Sequence, residues 1–406
     1  MENNKYCTLV SFFGSTNLGD IILSNILYDS INVILQCKKV NIGKNPFLCL
    51  DRIYTERNSF NQNKLSKIDA LFRKHVFFRN TKLYETLKLG WKMVKNPQSV
   101  NLYQKKILKD QIVNSCALIV GGGNLFFSLK EEEHPFYTYI DWYTRIAMEN
   151  SIPILFLSIG IGPFYKNEHL KKATSILNRG ELITFRDQRS LDIYNLECPN
   201  SNISFLSVDP AFLISGKQFV QIDDHNNERN IAVNFVNPIC MNLDGDECER
   251  IKSTCINLVR TLSDRFNVIL FSTDTADYSF LYWIKDKCKD NENINIFCVS
   301  DIESVFYLYS NVWGVIASRM HSQILAYDCR KRLISLSWQD KIWSFSKLID
   351  NIDNTYPYTS LSGNTIFDIY SKLINKHLEA CSVKDELKQR FQINENAIRN
   401  LTKQDC

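Results

Sequence analysis

The residues best suited to chemistry are an arginine and a histidine two positions apart, directly after an apolar run at 312–317. The segment reads Ser318, Arg319, Met320 and His321, and a helix is predicted from His321 to about Tyr327. A guanidinium at a helix N-terminus attracts anions, because the helix dipole adds to its charge. An imidazole titrates near neutral pH and suits general acid or base catalysis. A lone histidine here is usually a capping or partly buried residue, but the pair predicts an active site for an anionic, phosphorylated substrate.

Polar residues and glycines also follow the first two strand-like runs. Asn17 and Asp20 come after the run at 8–13, and Asp20 is predicted to cap a helix that begins at Ile21. Gly122, Gly123 and Asn124 come after the run at 117–120 and before a predicted helix. Bare backbone at such a turn can approach an anion, although a tight turn explains the glycines equally well. Their spacing fits neither the P-loop nor the dinucleotide-binding pattern.

Three more charged residues stand at or near predicted strand ends: Arg186, Asp209 and Lys341. Arginine binds carboxylates and phosphates through two parallel hydrogen bonds, and a lysine can neutralise a second anionic group. The structural alternatives are an ion pair of Arg186 with Asp187 and a solvated helix start at Lys341. In open parallel sheets, ligands bind beyond the carboxyl ends of the strands. We therefore expect all of these residues in one cleft.

Short apolar runs alternate along the chain with longer helical patterns. This alternation predicts an α/β protein with parallel sheets, whose strands and helices position the residues named above. A chain of 406 residues is too long for one ordinary core. A polar stretch from Ser215 to Asn230 interrupts the alternation. We predict two Rossmann-like domains that face a cleft, at 1–215 and 228–380, and a charged helix at 381–406 packed on the outside.

The excess positive charge lies in one segment. Residues 61–110 contain 12 Lys and Arg against 3 Asp and Glu, and the rest of the chain contains 36 against 41. Lysines alternate there with Leu, Phe, Trp and Tyr, which indicates a solvated helical insertion in the first domain. The functional alternative is contact with an anionic membrane surface or an anionic glycolipid. Nucleic acid is not expected as a partner, because no nucleic-acid-binding motif accompanies the charge.

The thirteen cysteines form no Cys-x-x-Cys pair, and no group of Cys and His has zinc-ligand spacing. We expect reduced cysteines, no metal and a cytoplasmic protein, at most peripheral at the inner face of the membrane. The N-terminus resembles neither a signal peptide nor an anchor, and no apolar stretch is expected to reach the ~18 to 20 residues of a membrane helix. The other histidines are expected at the surface: His75, His134, His169, His225 and His377.

Taken in order, these motifs resemble those of the polysaccharide pyruvyl transferase family. They are Asn17-Leu-Gly-Asp20, Gly121-Gly-Gly-Asn124, Ile159-Gly-Ile-Gly-Pro163, Arg186-Asp187 with Ser190, Asp209-Pro-Ala-Phe212, Arg319-Met-His321 and Lys341. Their order and spacing over residues 8 to about 345 make the resemblance specific, although no single motif is decisive. The segment before Lys341 departs from the family pattern, with Ser-Trp-Gln-Asp where a tyrosine is expected.

The resemblance implies a fold like that of the GT-B glycosyltransferases. It implies phosphoenolpyruvate as donor and a cell-surface glycan or lipid-linked oligosaccharide as acceptor, with a pyruvate ketal and inorganic phosphate as products and no cofactor. Arg319 and His321 match the family's donor-binding Arg-x-His in the second domain, and Arg186 matches its other substrate-binding arginine. Ser318, Met320, Lys341, Gly122, Gly123 and Asn124 are expected beside the donor. Asn17, Asp20 and Asp209 are expected at the acceptor or elsewhere in the cleft.

Two other functions fit the same residues. A GT-B glycosyltransferase with a nucleotide-sugar donor would share the fold and most of the anion-binding groups. A non-catalytic carbohydrate-binding or scaffold protein of a glycan-assembly complex would not need Arg319 or His321. Labelled donors separate the first alternative from a pyruvyl transferase, and substitution of these two residues separates the second.

Overall fold

The computed structural model describes residues 6–13, 17–36, 41–46, 109–128, 131, 136–214, 229–241, 243–375, 378–382 and 385–404. These residues contain two parallel sheets. The first consists of β1 (Tyr6–Ser11), β2 (Asn41–Pro46), β3 (Ala117–Gly121), β4 (Asn124–Phe126), β5 (Ile154–Ile161), β6 (Leu182–Phe185) and β7 (Ser204–Leu206). Its order is β2-β1-β3-β5-β6-β7, with β4 paired to β5.

The second sheet is built in the same way. It consists of β8 (Asn230–Asn234), β9 (Asn267–Phe271), β10 (Ile294–Ile296), β11 (Gly314–Ala317), β12 (Arg332–Ser337) and β13 (Thr355–Pro357). Its order is β10-β9-β8-β11-β12-β13, so the direction of winding changes between β8 and β11. In the first sheet the same change occurs between β1 and β3. Ligands of open α/β sheets bind at such switch points.

Helices cover both sheets. Those of the first domain are α1 (Leu18–Gln36), α2 (Phe136–Glu149), α3 (Asn167–Leu177) and α4 (Gln188–Asn195). Those of the second are α5 (Gly245–Ser263), α6 (Tyr278–Lys287), α7 (Ile302–Ser310), α8 (Met320–Asp328), α9 (Asp340–Leu348) and α10 (Gly363–Ile374), and α11 (Asp385–Gln389) and α12 (Gln392–Gln404) follow. Every residue of β3 and β5 is buried, as expected for strands covered on both faces. The predicted α/β fold class is confirmed.

Three details of the sequence prediction were wrong. The first helix begins at Leu18, not Ile21, and Asp20 lies in its first turn, while the side chain of Asn17 accepts a hydrogen bond from the backbone N–H of Gly19 at 2.9 Å. The chain continues after Gly123 into strand β4 and not into a helix. Strands β2 and β13 were not predicted, because neither has an apolar run of normal strand length. The basic segment at 61–110 lies outside the described residues except for its last two positions.

Helix α1 is long and apolar enough to cross a membrane over Leu18–Leu35, judged by length and composition alone. This corrects the expectation that no stretch of the chain would be. Its side chains Leu23, Leu27, Ile31 and Leu35 are fully buried in the cores of the protein. Packing against the protein interior accounts for the apolar composition of this helix.

The C-terminal helix α12 packs on the first domain although it follows the second. Asn394 is fully buried, and its Oδ1 accepts a hydrogen bond from Oγ1 of Thr184 at 2.6 Å. Its Nδ2 donates to Oγ of Ser158 at 2.8 Å and to Oγ of Ser207 at 3.1 Å. The helix therefore joins the two domains a second time, through a buried polar contact.

An aromatic cluster forms another contact between the domains. Phe212 of the first domain packs on Tyr327 and Phe345 of the second, with ring centroids 5.7 and 5.9 Å apart. Tyr327 belongs to α8 and Phe345 to α9. The two helices whose first turns carry His321 and Lys341 are thus fixed against the first domain by buried apolar side chains.

Candidate active site

A small polar pocket of about 70 Å³ lies between residues that follow strands of the two sheets. The first domain contributes Asn17, Asp20, Asn124 and Arg186, and the second contributes Thr273, Arg319, Met320, His321, Trp338 and Lys341. Three of these side chains are cationic and one is anionic. The excess of positive charge suits an anion.

Arg319 connects β11 to α8 and is held by two aspartates from the loop after β9. Its Nε and Nη2 donate to Oδ2 and Oδ1 of Asp277 at 2.8 and 2.7 Å. Its Nη1 lies 3.1 Å from Oδ2 of Asp274. Burial alone would lower the pKa of Arg319, but the charges of Asp277 and Asp274 outweigh burial and raise it. The guanidinium is therefore charged and already paired.

Ser318 supports the turn below the pocket. It is fully buried, and its hydroxyl accepts a hydrogen bond from the N–H of Val236 at 2.6 Å and donates to the carbonyl of Asn234 at 3.1 Å. Oδ1 of Asn234 accepts a hydrogen bond from the backbone N–H of Arg319 at 2.8 Å. These bonds join the ends of β8 and β11. Ser318 is not among the residues that line the pocket, whereas Met320 is.

His321 is the second residue of α8, and its imidazole packs against the backbone of Gly19 in the first domain. Its Nε2 is buried and has no hydrogen-bond partner among the residues that the structure describes. Burial lowers the pKa of His321 to about 4, and Arg186, Lys341 and Arg319 act in the same direction against Asp209. The ring is therefore neutral at pH 7.

Lys341 is the second residue of α9. Within the described part of the chain its Nζ has no ion pair, and it lies 5.8 Å from the centre of the Trp338 ring. Burial lowers the pKa of Lys341 to about 8, with Arg186 and Arg319 acting in the same direction and Asp20 and Asp209 opposing. Both arginines of the pocket have a carboxylate at contact distance, whereas the ammonium of Lys341 has none among the described residues.

Arg186 enters the pocket from the end of β6. Its Nη1 donates to Oδ2 of Asp209 at 3.1 Å, and its Nε lies 3.4 Å from Oδ2 of Asp187 without a hydrogen bond. A β-carbon at Gly160 would stand 2.7 Å from that Nε, so a glycine is needed where the guanidinium crosses β5. Asp209 is 1% exposed and also accepts from the N–H of Ala211 at 3.0 Å. Asp209 therefore anchors Arg186 from outside the lining of the pocket.

The glycines after β3 serve the fold. Gly122 and Gly123 have φ values of +77° and +79°, and β-carbons there would meet side chains of Leu23 and Phe12 at 2.3 and 2.4 Å. Neither lines the pocket, whereas Asn124 does and also donates from Nδ2 to the carbonyl of Gly162 at 3.0 Å. Of the predicted cleft residues, Asn17 and Asp20 line the pocket as well.

The sequence interpretation missed Asp274, Asp277, Thr273 and Trp338. Trp338 was noted only as a departure from a motif, yet its Nε1 donates to the carbonyl of Ser318 at 2.9 Å and its ring faces Lys341. The stretch at 272–277, Ser-Thr-Asp-Thr-Ala-Asp, follows β9 and satisfied the same strand-end rule as the other motifs. That position was the signal that could have identified the two aspartates.

No cluster of three or more His, Cys, Asp or Glu side chains that could hold a metal ion occurs in the described ranges. The cysteines described there form no disulfide. The prediction that His169 lies at the surface was wrong, because it is 6% exposed and its Nδ1 is 2.7 Å from Oγ of Ser128. The four other histidines expected at the surface lie outside the described residues.

Solved structures of similar fold include several determined with UDP or UDP-GlcNAc bound. UDP-GlcNAc 2-epimerase of Methanocaldococcus jannaschii is 11% identical with a TM-score of 0.55, covering 97% of this chain and 98% of its own. The Neisseria meningitidis enzyme, bound to UDP-GlcNAc, is 14% identical with a TM-score of 0.51, covering 98% and 97%. The S. aureus MnaA structure with UDP is 10% identical, with a TM-score of 0.52 and coverage of 96% and 90%. These likenesses establish a GT-B-like fold and nothing about the ligand.

The sequence itself identifies the family. A search of curated proteins finds no similar sequence. The family model for polysaccharide pyruvyl transferase matches residues 17–340, which include the motifs from Asn17 to His321 and most of both sheets, and Lys341 follows directly. The match covers more than half of the chain and spans both sides of the pocket. The chain belongs to the polysaccharide pyruvyl transferase family.

Proposed function

We propose that this protein transfers the pyruvyl group of phosphoenolpyruvate to two hydroxyl groups of one sugar, forming a pyruvate ketal and releasing inorganic phosphate. The acceptor is a cell-surface glycan or its lipid-linked oligosaccharide precursor, which puts the reaction at the cytoplasmic side of the membrane. The observation that carries the proposal is the composition of the pocket. Three cations surround a neutral histidine with an unpaired nitrogen, in a chain of this family.

The cations suit the donor. Phosphoenolpyruvate carries a carboxylate and a phosphate on the same carbon, and both need positive partners when they leave water. Arg186, Arg319 and Lys341 approach the pocket from both domains. Backbone N–H groups in the first turns of α8 and α9 add to the field, because the positive ends of both helix dipoles lie at this pocket.

The reaction needs one proton delivered and two removed. The methylene carbon takes a proton, the central carbon becomes electrophilic, and the first sugar hydroxyl attacks it. The second hydroxyl then attacks the same carbon, the bond to the phosphate oxygen breaks, and phosphate leaves with its electron pair. The two sugar hydroxyls release two protons. One replaces the proton delivered to the methylene carbon, and the other goes to solvent or to the departing phosphate.

His321 is the proposed donor or relay of that proton. Burial lowers the pKa of His321 to about 4, so the ring is neutral at pH 7. A bound anion of three negative charges favours the imidazolium, because an opposite charge within a few ångströms raises a histidine pKa. Donor binding would therefore load the proton that the first step consumes, and the arginines would stabilise charge on the donor.

Isotope-labelled donors test the proposal. The full chain is incubated with lipid-linked oligosaccharide and either carbon-labelled phosphoenolpyruvate or a labelled nucleotide sugar, and products are analysed by mass spectrometry together with phosphate release. We expect a pyruvyl ketal on the sugar and one phosphate per ketal. Transfer from a nucleotide sugar, with none from phosphoenolpyruvate, would show a glycosyltransferase instead.

A substitution distinguishes the enzyme from a scaffold. His321→Gln removes the titrating group, and we expect glycan without pyruvate in cells that carry this variant at a normal protein level. Asn396→Gln is the matched control, since Asn396 is exposed on α12 away from the pocket. A His321→Gln strain with fully pyruvylated glycan would contradict a catalytic role.

A further inference from the structure

Lys341 is the primary amine of the active-site pocket. It is the second residue of α9, it is half-buried, and it lines the pocket, so a molecule that enters can reach its Nζ. Among the described residues no carboxylate lies within ion-pair distance of this Nζ, whereas Arg186 and Arg319 each have one. The amine is therefore available to a ligand.

The surroundings of Lys341 favour its neutral form. Burial lowers its pKa to about 8, with Arg186 and Arg319 acting in the same direction and Asp20 and Asp209 opposing. At pH 7 roughly a tenth of these side chains are then uncharged, against fewer than about one in a thousand for a lysine in water. A lysine that is desolvated next to other cations is a nucleophile, and it forms Schiff bases with carbonyl compounds.

The first turns of α8 and α9 can hold a carboxylate beside this amine. Arg319 and Gln339, the N-cap residues of the two helices, make no side-chain capping bond in the described part of the chain. The backbone N–H groups of such turns need other acceptors, and the helix dipole favours an anionic one. Met320 and His321 begin α8 and line the pocket, as Lys341 does for α9. A carboxylate in the pocket thus meets the positive ends of two helices.

The imidazole of His321 can move the protons that Schiff-base formation requires. Its charge and that of Lys341 act on each other, its Nε2 has no hydrogen-bond partner among the described residues, and the ring is neutral at pH 7. When a neutral amine becomes an imine, its nitrogen gives up two protons and the carbonyl oxygen leaves with them as water. A neutral imidazole near the amine can accept such a proton and return it.

These groups together define the chemistry of a ligand. The amine requires an electrophilic carbonyl carbon, and the two helix N-termini with the guanidinium of Arg186 require an anionic group close to it. The small size of the pocket restricts the ligand to a few atoms beyond these two groups. Short 2-oxo acids, in which a ketone carbon is bonded directly to a carboxylate, have both features.

We propose that Lys341 is a covalent binding site for a short 2-oxo acid such as pyruvate, which it holds as an imine. The nitrogen adds to the ketone carbon, the carbon–oxygen bond breaks, and one water leaves for each carbon–nitrogen double bond formed. The step consumes no oxidant or reductant, so water reverses it. The adduct occupies the pocket and excludes other anions. The inference depends on the groups of the pocket and not on the proposed donor.

Reductive trapping tests the inference. The full chain is incubated at pH 7 with pyruvate and cyanoborohydride, which reduces an imine to a stable secondary amine, and modified lysines are located by peptide mass spectrometry. Lys347 is the matched control, because it is exposed near the end of the same helix. We expect carboxyethylation of Lys341 to be faster than that of Lys347 by about tenfold or more. This comparison within the wild-type chain does not depend on the folding of any variant.

Methyl pyruvate tests the recognition of the carboxylate. The ester keeps the ketone and lacks the negative charge, so it cannot use the helix N-termini or Arg186 in the same way. We expect Lys341 to react with pyruvate faster than with methyl pyruvate by about tenfold or more, and Lys347 to show no preference for pyruvate. In the Lys341→Arg variant the modification at this position should be absent, and that of Lys347 should remain.

Three results would overturn the inference. They are an unmodified Lys341, equal rates at Lys341 and Lys347, and a reaction of Lys341 with methyl pyruvate that is as fast as that with pyruvate. If the protein consumes phosphoenolpyruvate but Lys341 forms no adduct, the proposed function stands and the inference fails. If Lys341 forms the adduct in a protein that does not consume phosphoenolpyruvate, the inference stands and the proposed function fails.

Discussion

The backbone of Gly19 in the first domain lies against the imidazole of His321 in the second. A β-carbon at position 19 would stand 2.1 Å from Nδ1 and 2.8 Å from the β-carbon of His321. The second distance means that rotation of the ring alone could not relieve the clash. The position of the proposed proton donor, His321, is therefore restricted on one side by the backbone of the first domain.

Gly19→Ala should impair catalysis more than folding. The clash must displace His321 or the start of α1, and a displacement of about 1 Å at a reacting group costs on the order of 10²-fold in rate. Gly363→Ala is the matched control, because a β-carbon at this helix start meets nothing within 4 Å. We expect a hundredfold lower kcat for Gly19→Ala at a Tm similar to that of the control. Wild-type turnover in Gly19→Ala would contradict the contact.

The pH dependence of donor use should report Lys341. Burial lowers its pKa to about 8, so the ammonium is present below pH 8 and is lost as the pH rises above it. We expect kcat/KM for phosphoenolpyruvate to fall by about tenfold per pH unit above pH 8. Lys341→Arg keeps a charged group at all these pH values, so its alkaline limb should disappear from the measured range. An identical limb in Lys341→Arg would assign it to another group.

Stability should decrease with pH because of Asp328. Both oxygens of this buried carboxyl lack a hydrogen-bond partner in the described residues, and burial raises its pKa to about 8 against the effect of Lys388. Folding favours the protonated form of this carboxyl. Its contribution to the free energy of unfolding is therefore complete below pH 4 and is lost as the pH rises through 8. The stability of Asp328→Asn relative to wild type should increase by about 1 to 3 kcal/mol between pH 5 and pH 8.

Urea unfolding at both pH values measures this difference for Asp328→Asn. Asp264→Asn provides the control for removal of an exposed aspartate from the same domain. If the difference in unfolding free energy between Asp328→Asn and wild type is the same at pH 5 and pH 8, the carboxyl is ionised in the folded protein at both pH values.

The attachment of α12 should contribute strongly to stability. Asn394→Ala leaves three buried hydroxyls, those of Thr184, Ser158 and Ser207, without a partner they now have. We expect a loss of about 2 to 4 kcal/mol, measured by denaturant unfolding. Asn396→Ala, on the exposed face of the same helix, should change stability by less than about 0.5 kcal/mol. Equal effects of the two substitutions would contradict the role of Asn394.

Much of the fold could be predicted because buried parallel strands are continuous apolar runs. The runs at 117–120 and 154–158 are examples, and both became strands with no exposed residue. Strands without such runs were missed: β2 reads Asn-Ile-Gly-Lys-Asn-Pro, and β13 has three residues. Their pairing with β1 and β12 is decided by neighbours that a local pattern does not contain.

The strand-end rule anticipated which side chains would meet, but not their partners. Arg186, His321 and Lys341 line one pocket. That Arg319 is enclosed by Asp274 and Asp277 depends on β9 and β11 flanking β8, an order that the sequence does not state. Gly19 and Gly160 looked like ordinary turn or strand glycines, since the side chains that need the space are distant in sequence.

The return of α12 to the first domain also constrains the order in which the protein can fold during synthesis. Ser158 obtains the side-chain amide that donates to its hydroxyl 236 residues later in the chain. A ribosome that has completed the first sheet has therefore not yet made the residue that satisfies three hydroxyls in its core. The first domain reaches its final packing only after the second has emerged, so assembly of the cleft and completion of the first core coincide.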